Sequence, residues 1–162
     1  HGMSKAWAMT GFRIGYACAP AWLIEAMMKI HQYTMLCAPI LSQEAAVEAA
    51  RNADDDIAAM REEYRRRRNY LLSRFADMGL SCVTPRGAFY AFPRVDQLGV
   101  SARDFAMGLL DRHRVACVPG TAFGAAGEGH VRCSYATAMD ELKEAMERME
   151  TFVHECRKNA GA

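Results

Sequence analysis

The sequence predicts a mixed α/β protein, and two features of its pattern support that prediction. Helical periodicity alternates along the chain with short apolar runs, and Gly or Pro bounds those runs. One long amphipathic segment lies between the shorter elements of the two halves. The 162 residues contain no internal repeat or low-complexity linker. A chain of this length can bury a substantial apolar core.

The first third of the chain is predicted to hold one strand and two helices. Residues 12–19 are short, aromatic and rich in strand formers, which favours a strand. Pro20 is expected to open a helix that reaches about Tyr33, because the fixed φ of proline suits the first helical position. Pro39 is expected to open a second helix in the same way, which ends at about Arg51.

A long amphipathic helix is predicted next, with Gly79 as its stop signal. Its apolar residues recur at spacings of three, four or seven: Ile57, Met60, Tyr64, Leu71, Phe75 and Met78. Three acidic residues, 54–56, lie in the first turn, where they oppose the positive end of the helix dipole. Residues 65–68 are all arginine, but residues 53–78 hold six acids against six arginines. Ion pairs on a solvated face are therefore favoured over phosphate binding, which draws on net positive charge.

The second half is predicted to begin with a hairpin and a capped helix. Residues 80–84 and 89–92 resemble two strands, and residues 85–87 between them, Pro-Arg-Gly, are typical of a turn. Ser101 is expected to cap the helix that follows, which reaches about His113.

Two strands and a final helix complete the predicted elements. Residues 115–118 form a buried apolar run, and residues 130–135 alternate. That alternation places Val131, Cys133 and Tyr135 on one face, with Arg132 and Ser134 on the other. The final helix is expected to begin near residues 137–140 and to bury an apolar stripe.

The charge balance and the cysteine pattern exclude several classes of partner and site. With 20 basic and 19 acidic side chains the formal charge is +1, so no field attracts nucleic acid or an anionic membrane. No apolar run approaches the roughly 20 residues that span a bilayer. The six cysteines are scattered without metal-ligand spacing, so no metal site is predicted. Their apolar neighbours suit a reducing compartment, and the cytoplasm is the expected location.

One motif near the start of the chain carries chemistry. Residues 4–16, SKAWAMTGFRIGY, resemble the lysine signature of the class I/II (fold type I) aminotransferases, the aspartate aminotransferase superfamily. Three later blocks resemble landmarks of the same family: residues 85–93 (PRGAFYAFP), 118–124 (VPGTAFG) and 131–136 (VRCSYA). The resemblance covers essentially the whole chain. It implies pyridoxal 5'-phosphate as cofactor, with an amino acid and a 2-oxo acid as substrates.

The resemblance assigns two cofactor-binding residues, and a departure from its pattern leads to a third candidate. Lys5 would be the catalytic lysine, because a lysine amine can condense with the cofactor aldehyde and then move the substrate proton. Arg13 matches the arginine that holds the cofactor phosphate, a task suited to a planar guanidinium. Many members carry Ser or Thr three positions before the lysine, where this chain has Gly2. Ser4, directly before Lys5, is the candidate to contribute to the phosphate site instead, although neighbouring side chains of an extended segment would point apart.

Arg132 resembles the arginine that binds the substrate α-carboxylate. An arginine that faces away from Val131 and Cys133 in a buried strand needs an anionic partner. That partner is either the substrate carboxylate or a structural Asp or Glu. Tyr90 and Phe123 are candidate wall residues of the pocket, with a plain core role as the alternative.

The resemblance also implies domain organisation. Residues 1–52 would be the tail of the large cofactor domain, residues 53–79 a long interdomain helix, and residues 80–162 the small C-terminal two-layer α/β domain. The chain is then expected to be a fragment that is inactive alone. A homodimer is expected, because fold type I enzymes build their active sites at a subunit interface and the leading stretch would expose apolar surface.

Two other functions compete with this interpretation. Related fold type I enzymes act as lyases or decarboxylases with similar lysine and arginine residues, and Arg132 does not decide which bond breaks. The chain could also be a non-catalytic structural or interaction domain descended from such enzymes.

Overall fold

The computed structural model describes residues 1–160 and divides the chain into two compact units, His1–Arg61 and Glu62–Ala162. The described part holds six α-helices: α1 (Met3–Ala6), α2 (Ala21–Thr34), α3 (Ile40–Asn52), α4 (Asp54–Asp77), α5 (Ala102–His113) and α6 (Met139–Ala160). It holds three short strands: β1 (Tyr90–Ala91), β2 (Val118–Pro119) and β3 (Val131–Ser134). The mixed α/β class is confirmed.

Helices α2 and α3 of the first unit form where the sequence predicts them, whereas α1 was not predicted. Pro20 and Pro39 are the N-cap residues of α2 and α3, each in an extended conformation with φ near −55°. This fits the preference for proline at a helix start. The predicted helix ends near Tyr33 and Arg51 are each within one residue of the observed ends.

The strand predicted over residues 12–19 is wrong. A 3-10 helix covers Thr10–Phe12, and Arg13 takes a left-handed conformation with φ of 51°. That conformation interrupts an extended backbone. In the described part of the chain, residues 12–19 keep a single isolated bridge, between Gly15 and Gly2. A strand needs a longer paired ladder than one bridge provides.

The second unit contains an antiparallel sheet with the strand order β1-β3-β2. Tyr90 of β1 lies opposite Ser134 of β3, and Val118 of β2 lies opposite Arg132. The central strand β3 buries Val131 and leaves Arg132 half-buried, so the predicted alternation of its two faces is confirmed. Each strand is short, which leaves side-chain packing to position the residues at its ends.

The hairpin predicted for residues 80–84 and 89–92 is wrong. Strand β1 pairs with β3, not with the preceding segment. That segment accepts one backbone bond, from the Arg94 N–H to the Ser81 carbonyl at 2.8 Å. The Tyr135 N–H donates to the Phe89 carbonyl at 3.0 Å and extends the ladder between β1 and β3. The partner of β1 in the sheet is therefore β3, and residues 80–84 form no strand.

The core of the second unit lies where α4, α5 and α6 meet the sheet. Helix α4 contributes Leu71 and Phe75, both fully buried, and Phe105 of α5 packs against Phe152 of α6 with ring centroids 5.1 Å apart. The Ser101 hydroxyl caps α5 as predicted, since it accepts a hydrogen bond from the Asp104 N–H at 3.1 Å. The buried side of α6 holds the predicted apolar stripe: Leu142, Met146, Met149, Val153 and Cys156.

Three of the four arginines in the run of α4 are ion-paired, while Arg68 donates to Asn69 and to the Pro85 carbonyl. Arg65 pairs with Glu62 at 2.5 Å, while Arg66 and Arg67 both pair with Glu63, at 3.0 and 2.8 Å. Hydrogen bonds from Arg66 and Arg67 lower the pKa of the Glu63 carboxyl. The interpretation of this run as a solvated, ion-paired face is confirmed.

Four of the six cysteines lie in or against the core of the second unit. Cys133 and Cys156 are buried, and Cys82 and Cys117 are half-buried. Burial raises the pKa of the Cys117 thiol to about 12, so this thiol stays protonated at neutral pH. These cysteines act as small apolar side chains, whereas Cys18 and Cys37 of the first unit are exposed.

Neither a membrane span nor a metal-ligand cluster occurs in the part of the chain that the structure describes. Its helices are too short or too polar to cross a bilayer. Its His, Cys, Asp and Glu residues form no group of three or more that could hold a metal ion.

Replacing Phe75 by Ala tests the core of the second unit. Phe75→Ala removes a fully buried ring, so we expect the free energy of unfolding to fall by about 3–5 kcal/mol. Urea denaturation followed by circular dichroism measures this change. Ser73→Ala, at an exposed position of the same helix, is the control and should change stability by less than about 0.5 kcal/mol. Equal effects of the two variants would contradict the described packing.

Candidate active site

The segment around Lys5 is held by backbone pairing between residues 1–3 and 14–16. The Met3 N–H donates to the Ile14 carbonyl at 3.1 Å, and the Tyr16 N–H donates to the His1 carbonyl at 2.8 Å. The 3-10 helix Thr10–Phe12 packs against α1 inside this loop. Lys5 follows the first paired stretch by two residues and Arg13 immediately precedes the second. Lys5 and Arg13 therefore both lie next to the same short stretch of backbone pairing.

Ser4 and Lys5 lie on α1, not on an extended segment. Met3, one residue earlier, is buried and fixes this turn, while Ser4 is half-buried and Lys5 is exposed. Consecutive residues of an α-helix are about 100° apart around its axis. The two side chains therefore point in different directions, but not to opposite sides. In an extended segment, which the sequence analysis expected, they would point to opposite sides.

Arg13 occupies the left-handed position that ends the 3-10 helix. Its Nη1 donates to the Thr10 carbonyl at 2.9 Å, which closes a local turn and holds the guanidinium. A guanidinium has five N–H donors, so the others are available to a bound anion. Within residues 1–160, no carboxylate forms an ion pair with Arg13.

Of the two glycines between Lys5 and Tyr16, only Gly15 stands at a position that requires glycine. A β-carbon at Gly15 would lie 2.8 Å from the His1 carbonyl oxygen, closer than such atoms approach. A β-carbon at Gly11 would meet nothing within 4 Å. Gly15 therefore permits the close approach of the two backbone stretches that hold α1.

Arg132 lies in the second unit, on the central strand of the sheet, and its guanidinium is sandwiched between two rings. The guanidinium carbon is 4.4 Å from the Tyr90 ring centroid and 4.1 Å from that of Phe123. Cation–π contacts at these distances hold a cation without neutralising its charge. Among the residues that the structure describes, no Asp or Glu pairs with Arg132. The sequence analysis gave a structural Asp or Glu as the alternative partner of Arg132, and the described residues contain no such pair.

The two rings reach Arg132 because of the sheet register. Tyr90 lies opposite Ser134, which shares a face with Arg132, so Tyr90 is a diagonal cross-strand neighbour. Phe123 ends the 3-10 helix that follows β2 and packs edge-on against Phe92, with centroids 6.2 Å apart. The wall role considered for Tyr90 and Phe123 fits this geometry.

Sequence reasoning missed the residues that support Phe123. Phe92 stacks on His130 with ring centroids 5.5 Å apart, and the Gly120 N–H donates to the His130 carbonyl at 2.7 Å. A β-carbon at Gly120 would lie 2.0 Å from the Gly127 carbonyl oxygen, so this turn also requires glycine. In the sequence, Pro and Gly directly follow Val118 and predict a turn, but they do not show that the turn contacts His130.

The structure thus groups the predicted site residues into two sets. Ser4, Lys5 and Arg13 belong to the first unit and share the short ladder near the start of the chain. Arg132 belongs to the second unit, with its two rings.

Comparison with known proteins identifies the family of the chain. The family model described as aminotransferase class I and II matches residues 1–149. The chain belongs to this family. Its members depend on pyridoxal 5'-phosphate.

Individual relatives agree with the family assignment. YugH of Bacillus subtilis, an aminotransferase by name, is 52% identical over 153 residues, which are 94% of this chain and 40% of YugH. The aspartate aminotransferase of Pyrococcus abyssi is 46% identical over 157 residues, 96% of this chain and 40% of the relative. The crystal structure of an aromatic aminotransferase from Pyrococcus horikoshii superposes with a TM-score of 0.92 at 47% identity. That match covers 95% of this chain and 42% of the crystal structure. The chain therefore spans about 40% of the length of these relatives.

The residues of the first unit fit the family cofactor chemically. An exposed lysine amine suits an aldehyde, and a guanidinium with unused donors suits a phosphate. Arg13 meets this requirement, because Thr10 takes only one of its donors. The Ser4 hydroxyl can add a further hydrogen bond to a phosphate.

Replacing Gly15 by Ala tests the ladder that holds α1. The added β-carbon would collide with the His1 carbonyl oxygen, so the paired stretches should separate. We expect faster amide hydrogen exchange at Met3 and Tyr16, measured by NMR or mass spectrometry. Gly11→Ala, where space is open, is the matched control and should leave this protection unchanged. Unchanged protection in Gly15→Ala would show that the ladder does not hold α1.

Proposed function

We propose that this chain is the C-terminal part of a pyridoxal-phosphate-dependent aminotransferase. The whole enzyme would exchange an amino group between an amino acid and a 2-oxo acid. The observation that carries this proposal is the guanidinium of Arg132, held between two rings and paired with no carboxylate in residues 1–160. An arginine in this state is suited to an anion from outside the chain. Membership of the aminotransferase family supports the same reaction.

Arg132 would bind the α-carboxylate of the substrate. Its planar fork offers paired N–H donors in one plane, and the two rings restrict rotation of that plane. A carboxylate held by two parallel hydrogen bonds has a defined orientation, so the Cα–H bond also has one. Both the amino acid and the 2-oxo acid carry this carboxylate, so one arginine serves both halves of the exchange.

Lys5, Arg13 and Ser4 would hold the cofactor. When bound, pyridoxal phosphate supplies an aldehyde for attachment and a ring that accepts electrons from the substrate carbon. Arg13 and Ser4 would bind its phosphate, and the Lys5 amine would be its covalent attachment point. After substrate binding, the Lys5 Nζ would take the proton from the substrate Cα and pass it to the carbon of the cofactor aldehyde group.

The domain organisation belongs to the same proposal. Residues 1–52 would complete the large cofactor domain, residues 53–79 would connect the domains, and residues 80–162 would form the small domain. We further propose a cytoplasmic homodimer, which the composition and the exposed apolar side chains of the first unit support. These side chains include Trp22, Ile30, Tyr33 and Leu36, of which Tyr33 is 86% exposed and Leu36 80%.

An assay of the complete protein tests the proposed reaction. Incubated with 2-oxoglutarate and a panel of amino acids, it should form stoichiometric glutamate, and Lys5→Ala should abolish this turnover. Lys29→Ala, at an exposed lysine of α2, is the control and should retain activity. Consumption of an amino acid without glutamate would favour a lyase or decarboxylase, and full turnover in Lys5→Ala would refute the assignment of Lys5.

Cofactor attachment gives a second readout of the same prediction. The complete protein should bind pyridoxal phosphate with an absorbance band at about 420 nm that borohydride removes. The 162-residue chain alone should bind it weakly. A stoichiometric, reducible band in the chain alone would contradict that expectation.

A further inference from the structure

Tyr135 follows the central strand and lies on the face opposite Arg132. It is 2% exposed, so its ring belongs to the core of the second unit. Its hydroxyl donates to the Ala88 carbonyl at 3.1 Å, and its N–H donates to the Phe89 carbonyl at 3.0 Å. Burial raises the pKa of Tyr135, so the phenol remains protonated and keeps donating at neutral pH. Two adjacent carbonyls are thus held by one residue.

The residue that the hydroxyl holds has an unfavourable backbone conformation. Ala88 has a φ of 58°, in the left-handed region that a β-carbon disfavours. Such conformations persist when the surrounding contacts maintain them. In the described structure, the side-chain hydrogen bond to Ala88 is the one that the Tyr135 hydroxyl donates to its carbonyl.

The turn that contains Ala88 is anchored at its other end as well. Arg68 of α4 donates from Nη1 to the Pro85 carbonyl at 3.2 Å. The Tyr64 ring, also on α4, contacts both the Phe89 ring and the Tyr135 ring, with centroids 5.8 and 6.3 Å away. The turn is therefore fixed between helix and sheet.

The turn leads directly to the aromatic sandwich. Phe89 packs against Tyr90 with ring centroids 4.7 Å apart, and the Tyr90 ring lies over the Arg132 guanidinium. A change in the backbone at Ala88 would move Tyr90, which is two residues away. Tyr90 is the ring that adjoins this turn, whereas Phe123 follows a separate turn.

We propose that Tyr135 is a positioning residue for the substrate carboxylate. It acts through the Ala88 turn and the Tyr90 ring to fix the plane of the Arg132 guanidinium. This inference rests on the proposed function of Arg132. Tyr135 itself touches no substrate, since its side chain is in the core.

The kinetic test is Tyr135→Phe in the complete protein. The variant removes one hydroxyl and keeps the buried ring, so we expect the KM values for the amino acid and for 2-oxoglutarate to rise by about three- to tenfold. The two factors should be similar, because both substrates present a carboxylate to Arg132. The kcat value should change by less than about twofold. Unchanged KM values, or a loss confined to kcat, would overturn the inference.

Two further variants separate positioning from a general loss of stability. Tyr70→Phe alters another tyrosine packed against the same core, which has no hydrogen bond or ring contact with the described residues 85–88, and should leave both KM values unchanged. The double variant Tyr135→Phe with Ala88→Gly should return the KM values toward those of the wild type, because glycine accepts a positive φ without support. Equal KM increases in Tyr70→Phe, or no recovery in the double variant, would indicate a merely structural role.

A spectroscopic readout is independent of activity. With selective ¹⁵N-arginine labelling of the complete protein, the Arg132 Nε–H resonance should be displaced by the currents of the two rings. Tyr135→Phe should shift this resonance, and Tyr70→Phe should not. No shift in Tyr135→Phe would overturn the inference. A shift in a protein that forms no glutamate would refute the proposed function and leave the link between Tyr135 and Arg132 intact.

Discussion

The proposed function depends on one interaction, the contact of the Arg132 guanidinium with two aromatic rings. No carboxylate of the described residues neutralises this guanidinium. A half-buried cation is costly unless something compensates its charge, and Tyr90 and Phe123 compensate it only in part. The surrounding structure keeps the charge of Arg132 without a carboxylate partner. Strand β3 carries Arg132, and the pairing of β1 with β3 places Tyr90 as its diagonal neighbour. The turn that contains Gly120 places Phe123. A residual charge with fixed geometry is what recognition of a planar anion requires.

The two units position their residues by different means. In the second unit a packed core of three helices and a sheet supports the arginine, and ion pairs such as Arg74 with Glu150 at 2.7 Å join α4 to α6. In the first unit a few backbone hydrogen bonds and the close approach at Gly15 hold the short helix that carries Lys5. A site on a packed sheet is more rigid than a site on a short turn, because more contacts oppose its displacement.

Elements with a strong local signal could be predicted from the sequence, and elements that depend on a distant partner could not. Pro20, Pro39 and Ser101 mark helix starts by local geometry, and all three predictions hold. The hairpin over residues 80–92 failed because strand pairing depends on the register with β3, about 40 residues later, which no local pattern records. The identities of Lys5, Arg13 and Arg132 came from motif resemblance. The aromatic sandwich of Arg132 and the support from Tyr135 became visible only once the register was known.

Substrate discrimination by Arg132 tests the central claim most directly. The measurement is the ratio of kcat/KM for an amino acid and for its α-carboxamide, in the complete protein and in Arg132→Gln. If the guanidinium binds the carboxylate, the wild type should prefer the acid by about 100-fold or more, because the amide cannot form the charged bidentate pair. The Arg132→Gln ratio should then fall to about one. A glutamine variant that keeps the wild-type preference would contradict the account.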